Sequence, residues 1–204
     1  ENRFGWVVEI DPMNGLQTPV KRTALGRFKH EGIAITVGRG GRVVGYMGDD
    51  QRFDYIYKFV SDDNWQSMRA RGLSPLDHGK LYTARFNDDG TGEWLPLVYG
   101  ENGLDESNAT PFTSQADVLV NTRLAADSMG ATPMDRPEWG AVDPANGDVY
   151  FTLTNNSNRN AGNVNEANPR PSNNHGHIIR WKEDGNDQAA TTFTWDIFLF
   201  GGDA

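Results

Sequence analysis

The sequence contains no cysteine. Disulfides, thiolate metal sites and cysteine nucleophiles are therefore excluded, while the compartment stays open because many secreted proteins lack disulfides. No run approaches the roughly 20 apolar residues of a membrane-spanning helix, and the opening Glu1-Asn2-Arg3 lacks the charged-then-apolar order of a signal peptide. Basic residues are outnumbered: 19 Lys and Arg against 28 Asp and Glu give a net charge of −9. That balance argues against nucleic acid as a partner and suits cation binding. The four histidines, at positions 30, 78, 175 and 177, include no pair spaced to share one helical face, which argues against zinc. No serine stands in a Gly-x-Ser-x-Gly context, so a serine hydrolase gains no support. The stretches Gly38-Arg39-Gly40-Gly41 and Gly100-Glu101-Asn102-Gly103 lack the ending of a phosphate loop and read as hairpin turns.

What is present is turn chemistry. The 204 residues include 19 Asp, 18 Asn and 23 Gly, residues that favour turns. Between them lie short β-branched and aromatic segments: 6–10, 33–37, 42–47, 55–60, 81–86, 93–98, 139–142, 148–154, 177–181 and 193–199. Each has strand length and turn residues at its borders, so the chain reads as all-β and antiparallel.

The segments repeat. Glu31-Gly32-Ile33-Ala34-Ile35, a glycine-containing turn and the strand to Asp49 run parallel to Glu138-Trp139-Gly140-Ala141-Val142, a turn and the strand to Asn156, each spanning 18 positions. Ile56-Tyr57-Lys58-Phe59 then matches Ile178-Ile179-Arg180-Trp181, followed in both by an acidic-glycine turn and a strand bearing Trp94 or Trp195. Repeated four-stranded units are the signature of propeller blades; two separate small β domains are the other reading. The expected layout is a first blade region over 1–98, an insertion over 99–137, and a second blade region over 138–204. Within the insertion Ser114 caps a helix of about 115–129 that ends before Gly130. Residues 157–176 have almost no apolar side chain and read as a long surface loop. Two blades fall short of the four or so needed to close a propeller, so the chain reads as a segment of a longer protein whose exposed blade faces and edges favour self-association.

The chemistry points to hard oxygen ligands. Glu31 and Glu138 occupy the same place in the repeat, at the start of the strand that lines a propeller channel. Asp49-Asp50 and Asn155-Asn156 fall at equivalent ends of the second strand. Such oxygens suit calcium, magnesium or ferric ions, although Asp-Asp and Asn-Asn pairs also simply make turns. Arg136 stands two residues before Glu138, and Pro137 between them favours extended chain, so both side chains point the same way. An arginine fork beside metal-binding carboxylates suits a phosphate oxyanion, and equally a salt bridge.

Thr122-Arg123-Leu124-Ala125-Ala126-Asp127, Gly130-Ala131-Thr132-Pro133-Met134-Asp135-Arg136-Pro137-Glu138-Trp139, Lys29-His30-Glu31-Gly32, Gly45-Tyr46-Met47-Gly48-Asp49-Asp50 and Tyr57-Lys58-Phe59 resemble the PhoX family of bacterial alkaline phosphatases. The resemblance implies a six-bladed propeller, of which this chain supplies about two blades, holding calcium and iron, acting in the periplasm or outside the cell, and hydrolysing phosphomonoesters. It matches Glu31 and Glu138 to metal-binding glutamates, Arg136 to a phosphate-binding arginine, and Asp49, Asn155 and Asn156 to calcium ligands. Arg136 and Glu138 are thus the expected catalytic pair. The family's iron-bridging cysteine has no counterpart here, so this segment by itself cannot hold the complete cluster and is expected to be inactive alone. The alternatives are a calcium-stabilised, non-catalytic propeller that binds a ligand or partner, and a calcium-dependent lactonase or esterase on the same scaffold.

Overall fold

The computed structural model describes residues 2–202. Short strands β1 (Val8–Glu9) and β2 (Val20–Lys21) form an antiparallel ribbon. The rest of the strands belong to one nine-stranded sheet: β3 (His30–Val37), β4 (Arg42–Asp49), β5 (Ile56–Asn64), β6 (Gly79–Phe86), β7 (Thr91–Pro96), β8 (Pro137–Val142), β9 (Val149–Leu153), β10 (His177–Glu183) and β11 (Thr192–Phe200). All pairings are antiparallel, in the order β3-β4-β5-β6-β7-β11-β10-β9-β8. The result is a propeller-like all-β fold. It departs from the sequence expectation in two ways: the first unit has five strands, and the units are joined because Phe193 and Thr194 of β11 pair with Gly92 and Thr91 of β7. Among the described residues no helix is long and apolar enough to cross a membrane.

Strands β4 and β5 are buried on both faces, and the two faces have different neighbours. Because side chains alternate along a strand, Val44, Tyr46, Ile56 and Val60 meet Trp94, Phe151, Ile179, Trp181 and Phe193 from the rest of the sheet. Met47, Tyr57 and Phe59 face the opposite way, against Leu97, Leu104, Phe112, Val118 and Ala125. Lys58 lies on the first face and is fully buried. Its Nζ lies 3.1 Å from Glu183 and donates to the carbonyls of Gln188 (3.1 Å) and Ala190 (2.6 Å). Glu183 also accepts from Tyr46 Oη at 2.8 Å, Trp94 Nε1 at 3.1 Å and Trp181 Nε1 at 3.2 Å. Burial pushes Lys58 down to about 8 and Glu183 up, each opposed by the charge of the other. This pair fastens the first unit to the second.

The insertion carries two helices where one was expected. Ser114 Oγ accepts from Asp117 N at 3.2 Å to start α2 (Gln115–Val120). The helix breaks at Asn121, with ψ at 40°, before α3 (Thr122–Met129). The reason is tertiary: Thr122 Oγ1 donates back to Leu119 O and accepts from Arg27 N, fixing the break against the irregular segment that precedes β3. Gly130 closes α3 in the left-handed conformation, at φ 71°. A further short helix, α1 (Trp65–Ala70), starts where Asn64 accepts from Gln66 N and Ser67 N.

Candidate functional site

The first strands of the two units, β3 and β8, lie side by side at the two ends of the sheet order. Both are interrupted at the repeated glutamates: the β3–β4 register shifts between His30 and Ile33, and the β8–β9 register between Pro137 and Gly140. Such bulges redirect side chains out of the regular alternation. The strands meet closely, because a Cβ on Gly32 would lie 2.8 Å from the Trp139 ring and one on Gly48 would lie 2.5 Å from Pro137 O. Glycine at these positions lets Glu31 and Glu138 share one neighbourhood.

Arg136 stands at its centre. Its Nη2 donates to Asp50 Oδ2 at 3.0 Å and Glu138 Oε1 at 3.2 Å, and Thr154 Oγ1 donates to the same Glu138 oxygen at 2.9 Å. The side chains of Arg136 and Glu138 are 28% exposed and that of Asp50 14%, so the group is anchored yet open to a ligand. Among the described residues Nη1 and Nε of Arg136 have no protein acceptor. The backbone differs from the extended form expected before Pro137: Arg136 has φ 57°. A non-glycine residue held there carries strain of order 1–3 kcal/mol, a feature concentrated at functional sites.

The acidic groups accumulate around this one guanidinium. Asp50 Oδ1 is buried 2.8 Å from Nη2, yet it is not aligned with an N–H and so lacks a hydrogen bond. Glu31 is raised above the usual carboxylate range by desolvation, then by the neighbouring charges of Asp50 and Glu138, with Arg136 opposing. Asp50 and Glu138 contact the arginine directly, and Glu31 feels the charges of all three. Among the described residues no three His, Asp or Glu side chains gather closely enough to bind a metal ion unaided. An iron pair bridged by cysteine does not fit these residues, since the chain has none.

Two expected ligands are committed elsewhere. Asp49 is fully buried and accepts both Nε and Nη2 of Arg123 at 2.5 Å, while Lys29 N approaches Oδ1 at 3.3 Å. Its repeat counterpart Asn156 is also fully buried, its Oδ1 accepting from Asn158 N at 3.1 Å and its N–H donating to Asn173 O at 2.6 Å. Asp49 ends β4, whereas Asn156 lies three residues beyond β9 and its buried Nδ2 has no partner among the described residues. Asn155 is half-buried beside Thr154. Of the Asp49-Asp50 pair it is Asp50 that contacts Arg136, and Thr154, next to Asn155, contacts Glu138.

The loop over 157–176 is not a plain surface loop. Arg159, Ala167, Asn168 and Asn173 are buried, and His177 at its exit binds Ala167 O through Nε2 at 2.8 Å. No apolar pattern marks this anchoring, which rests on hydrogen bonds to Asp135, one residue before Arg136.

A family model described as alkaline phosphatase PhoX matches residues 1–204. The chain belongs to the PhoX family. A solved structure, "Pseudomonas fluorescens PhoX in complex with vanadate, a transition state analogue", is 51% identical with a TM-score of 0.90, and the match covers 97% of this chain and 36% of that one. This PhoX-family chain therefore spans about a third of the length of that relative. No curated protein matches it.

Proposed function

We propose that this chain is the part of a metal-dependent phosphatase, acting on phosphomonoesters, that supplies the arginine holding the phosphoryl group and part of a cation site. The observation that carries the reading is the arrangement of Arg136: Nη2 is fixed by Asp50 and Glu138 while Nη1 and Nε have no protein acceptor among the described residues. Nε–H and the Nη1 hydrogens lie on different edges of the planar guanidinium, so each edge can donate to an oxygen of a phosphate. As negative charge shifts during transfer, a guanidinium already oriented by its carboxylates stabilises it without reorganisation. Thr154 holds Glu138 in turn, keeping one carboxylate oxygen on the arginine.

Glu31, Glu138 and Asp50, with Asn155 as a neutral oxygen, would supply part of the ligands of a calcium ion, the rest coming from outside these residues. Such a cation polarises phosphoryl oxygens and offsets the repulsion among these carboxylates. Iron, expected from the resemblance, would need ligands from outside these residues. The family reading also makes the protein periplasmic or secreted. The vanadate bound to the related PhoX, a transition state analogue, supports the phosphatase reading.

The test is p-nitrophenyl phosphate hydrolysis by this chain alone and within a protein of its relative's full length, with and without added calcium. Hydrolysis by the longer, calcium-supplied protein, lowered at least tenfold but still measurable in Arg136→Ala, is the expected result. Absence of hydrolysis from the unaltered longer protein would shift the reading to the non-catalytic, calcium-stabilised propeller.

A further inference from the structure

We propose that Arg159 and Asp135 are positioning residues that set the phosphate affinity of Arg136, the loop over 157–176 serving as its clamp. The inference rests on the reading of Arg136 as the phosphate-holding side chain.

The segment 133–136 has to be held, because its last residue occupies the left-handed region, which non-glycine residues leave when free to do so. Arg159 does much of the holding with three different donors. Nε reaches Asp135 Oδ1 at 2.5 Å, Nη2 reaches Pro133 O at 2.9 Å, and Nη1 reaches Asn163 O in its own loop at 2.5 Å. The second oxygen of Asp135 accepts from Asn173 Nδ2 at 3.0 Å. On the far side of the segment, Phe53 N donates to Met134 O and Met134 N to Asp54 O, both at 2.9 Å.

Burial makes the arrangement stiff. Asp135 is 0% and Arg159 2% exposed, so neither charge can exchange its partner for water, and both oxygens of Asp135 are occupied. The fork spans two residues of the segment, Pro133 and Asp135, and therefore fixes the direction in which the chain enters Arg136. The loop itself starts just past Thr154, whose N–H donates to Arg136 O at 3.2 Å and whose hydroxyl holds Glu138. The loop thus grips the segment on the N-terminal side of the arginine by Arg159, while Thr154, just before the loop, holds its carbonyl.

A residue that only stabilises the fold changes phosphate binding equally whatever stands at position 136, whereas a positioning residue acts through Arg136. The experiment is a double-mutant cycle in the full-length protein, read as inhibition of p-nitrophenyl phosphate hydrolysis by inorganic phosphate below the melting temperature of every variant. Arg159→Lys, which keeps the charge but not the fork, is expected to weaken phosphate inhibition at least tenfold with Arg136 present. The same change is expected to shift it less than twofold in Arg136→Ala. Equal effects in the two backgrounds, or none in the first, overturn the proposal. Asp135→Asn, nearly isosteric, gives the same readout where Arg159→Lys does not fold. Should Arg136→Ala leave phosphate inhibition unchanged, the reading of Arg136 itself fails and the clamp with it.

Discussion

Arg136 and Glu138 lie two residues apart in the chain and their side chains meet at 3.2 Å across Pro137, at the bulge that opens β8. The contact forms at a place where Arg136 takes a positive φ and the register of β8 slips before Gly140. Regular extended chain would not be needed for such a pair, but here neither feature is regular, and the strain is concentrated where the chemistry is proposed.

Glu138→Gln in the full-length protein is expected to lower phosphatase turnover at least tenfold while leaving the melting temperature nearly unchanged. The amide keeps the shape and the bond to Thr154 but loses the charge that orients Arg136 and holds a cation. Steady-state kinetics beside thermal melting check it, and near-normal turnover would remove Glu138 from the site.

Gly48→Ala is expected to destabilise the fold by about 1–3 kcal/mol and to lower turnover as well. The added Cβ would meet Pro137 O at 2.5 Å and the Phe151 ring at 2.7 Å, so β8 must shift, taking Glu138 with it. Denaturant midpoints and turnover measured together test this; a stable, fully active variant would contradict the close packing of β4 on β8.

Lys58→Met leaves Glu183 buried without its cation and is expected to cost roughly 3–5 kcal/mol. The double variant Lys58→Met, Glu183→Leu should recover part of that loss, because no unpaired charge remains. Urea unfolding of the three variants decides the matter, and a silent single variant would show that the pair does not fasten the two units.

His177 is held neutral: Nε2 donates to Ala167 O and Nδ1 accepts from Asn173 Nδ2 at 3.1 Å, and desolvation lowers its pKa below the ordinary histidine value. The unfolded chain therefore binds more protons than the folded one below about pH 6.5, and stability falls with pH in that range. Above it, His177 contributes no pH dependence. His177→Gln is expected to flatten the acid side of the stability profile, read from urea midpoints between about pH 5 and 7.5. An unchanged acid slope would place the titrating group elsewhere.

The strands were legible because a strand is a local object: β-branched and aromatic residues alternate over a few positions and Asn, Asp and Gly mark the ends. The repeat likewise brought Glu31 and Glu138 forward, and the spacing of Arg136 to Glu138 gave the arginine. Asp49 and Asn156 attracted notice as oxygens at strand ends, and in the structure those oxygens accept from Arg123 and from Asn158 N. A carboxylate or carboxamide at a strand end looks alike in sequence whether it binds a cation or an arginine, and the partner of Asp49 lies 74 residues away at Arg123.

The amino-acid sequence by itself determined the all-β class, the turn positions, the duplicated unit and the family, since each depends on composition or on short patterns. Tertiary structure decided which oxygens face Arg136, the pairing of β7 with β11, the break at Asn121 and the burial of Lys58 against Glu183, 125 residues on. It also turned a polar loop into a clamp. The physical reason is common to all of these: a buried polar group must find a partner, and which partner is near depends on how distant segments pack, a relation no local pattern encodes.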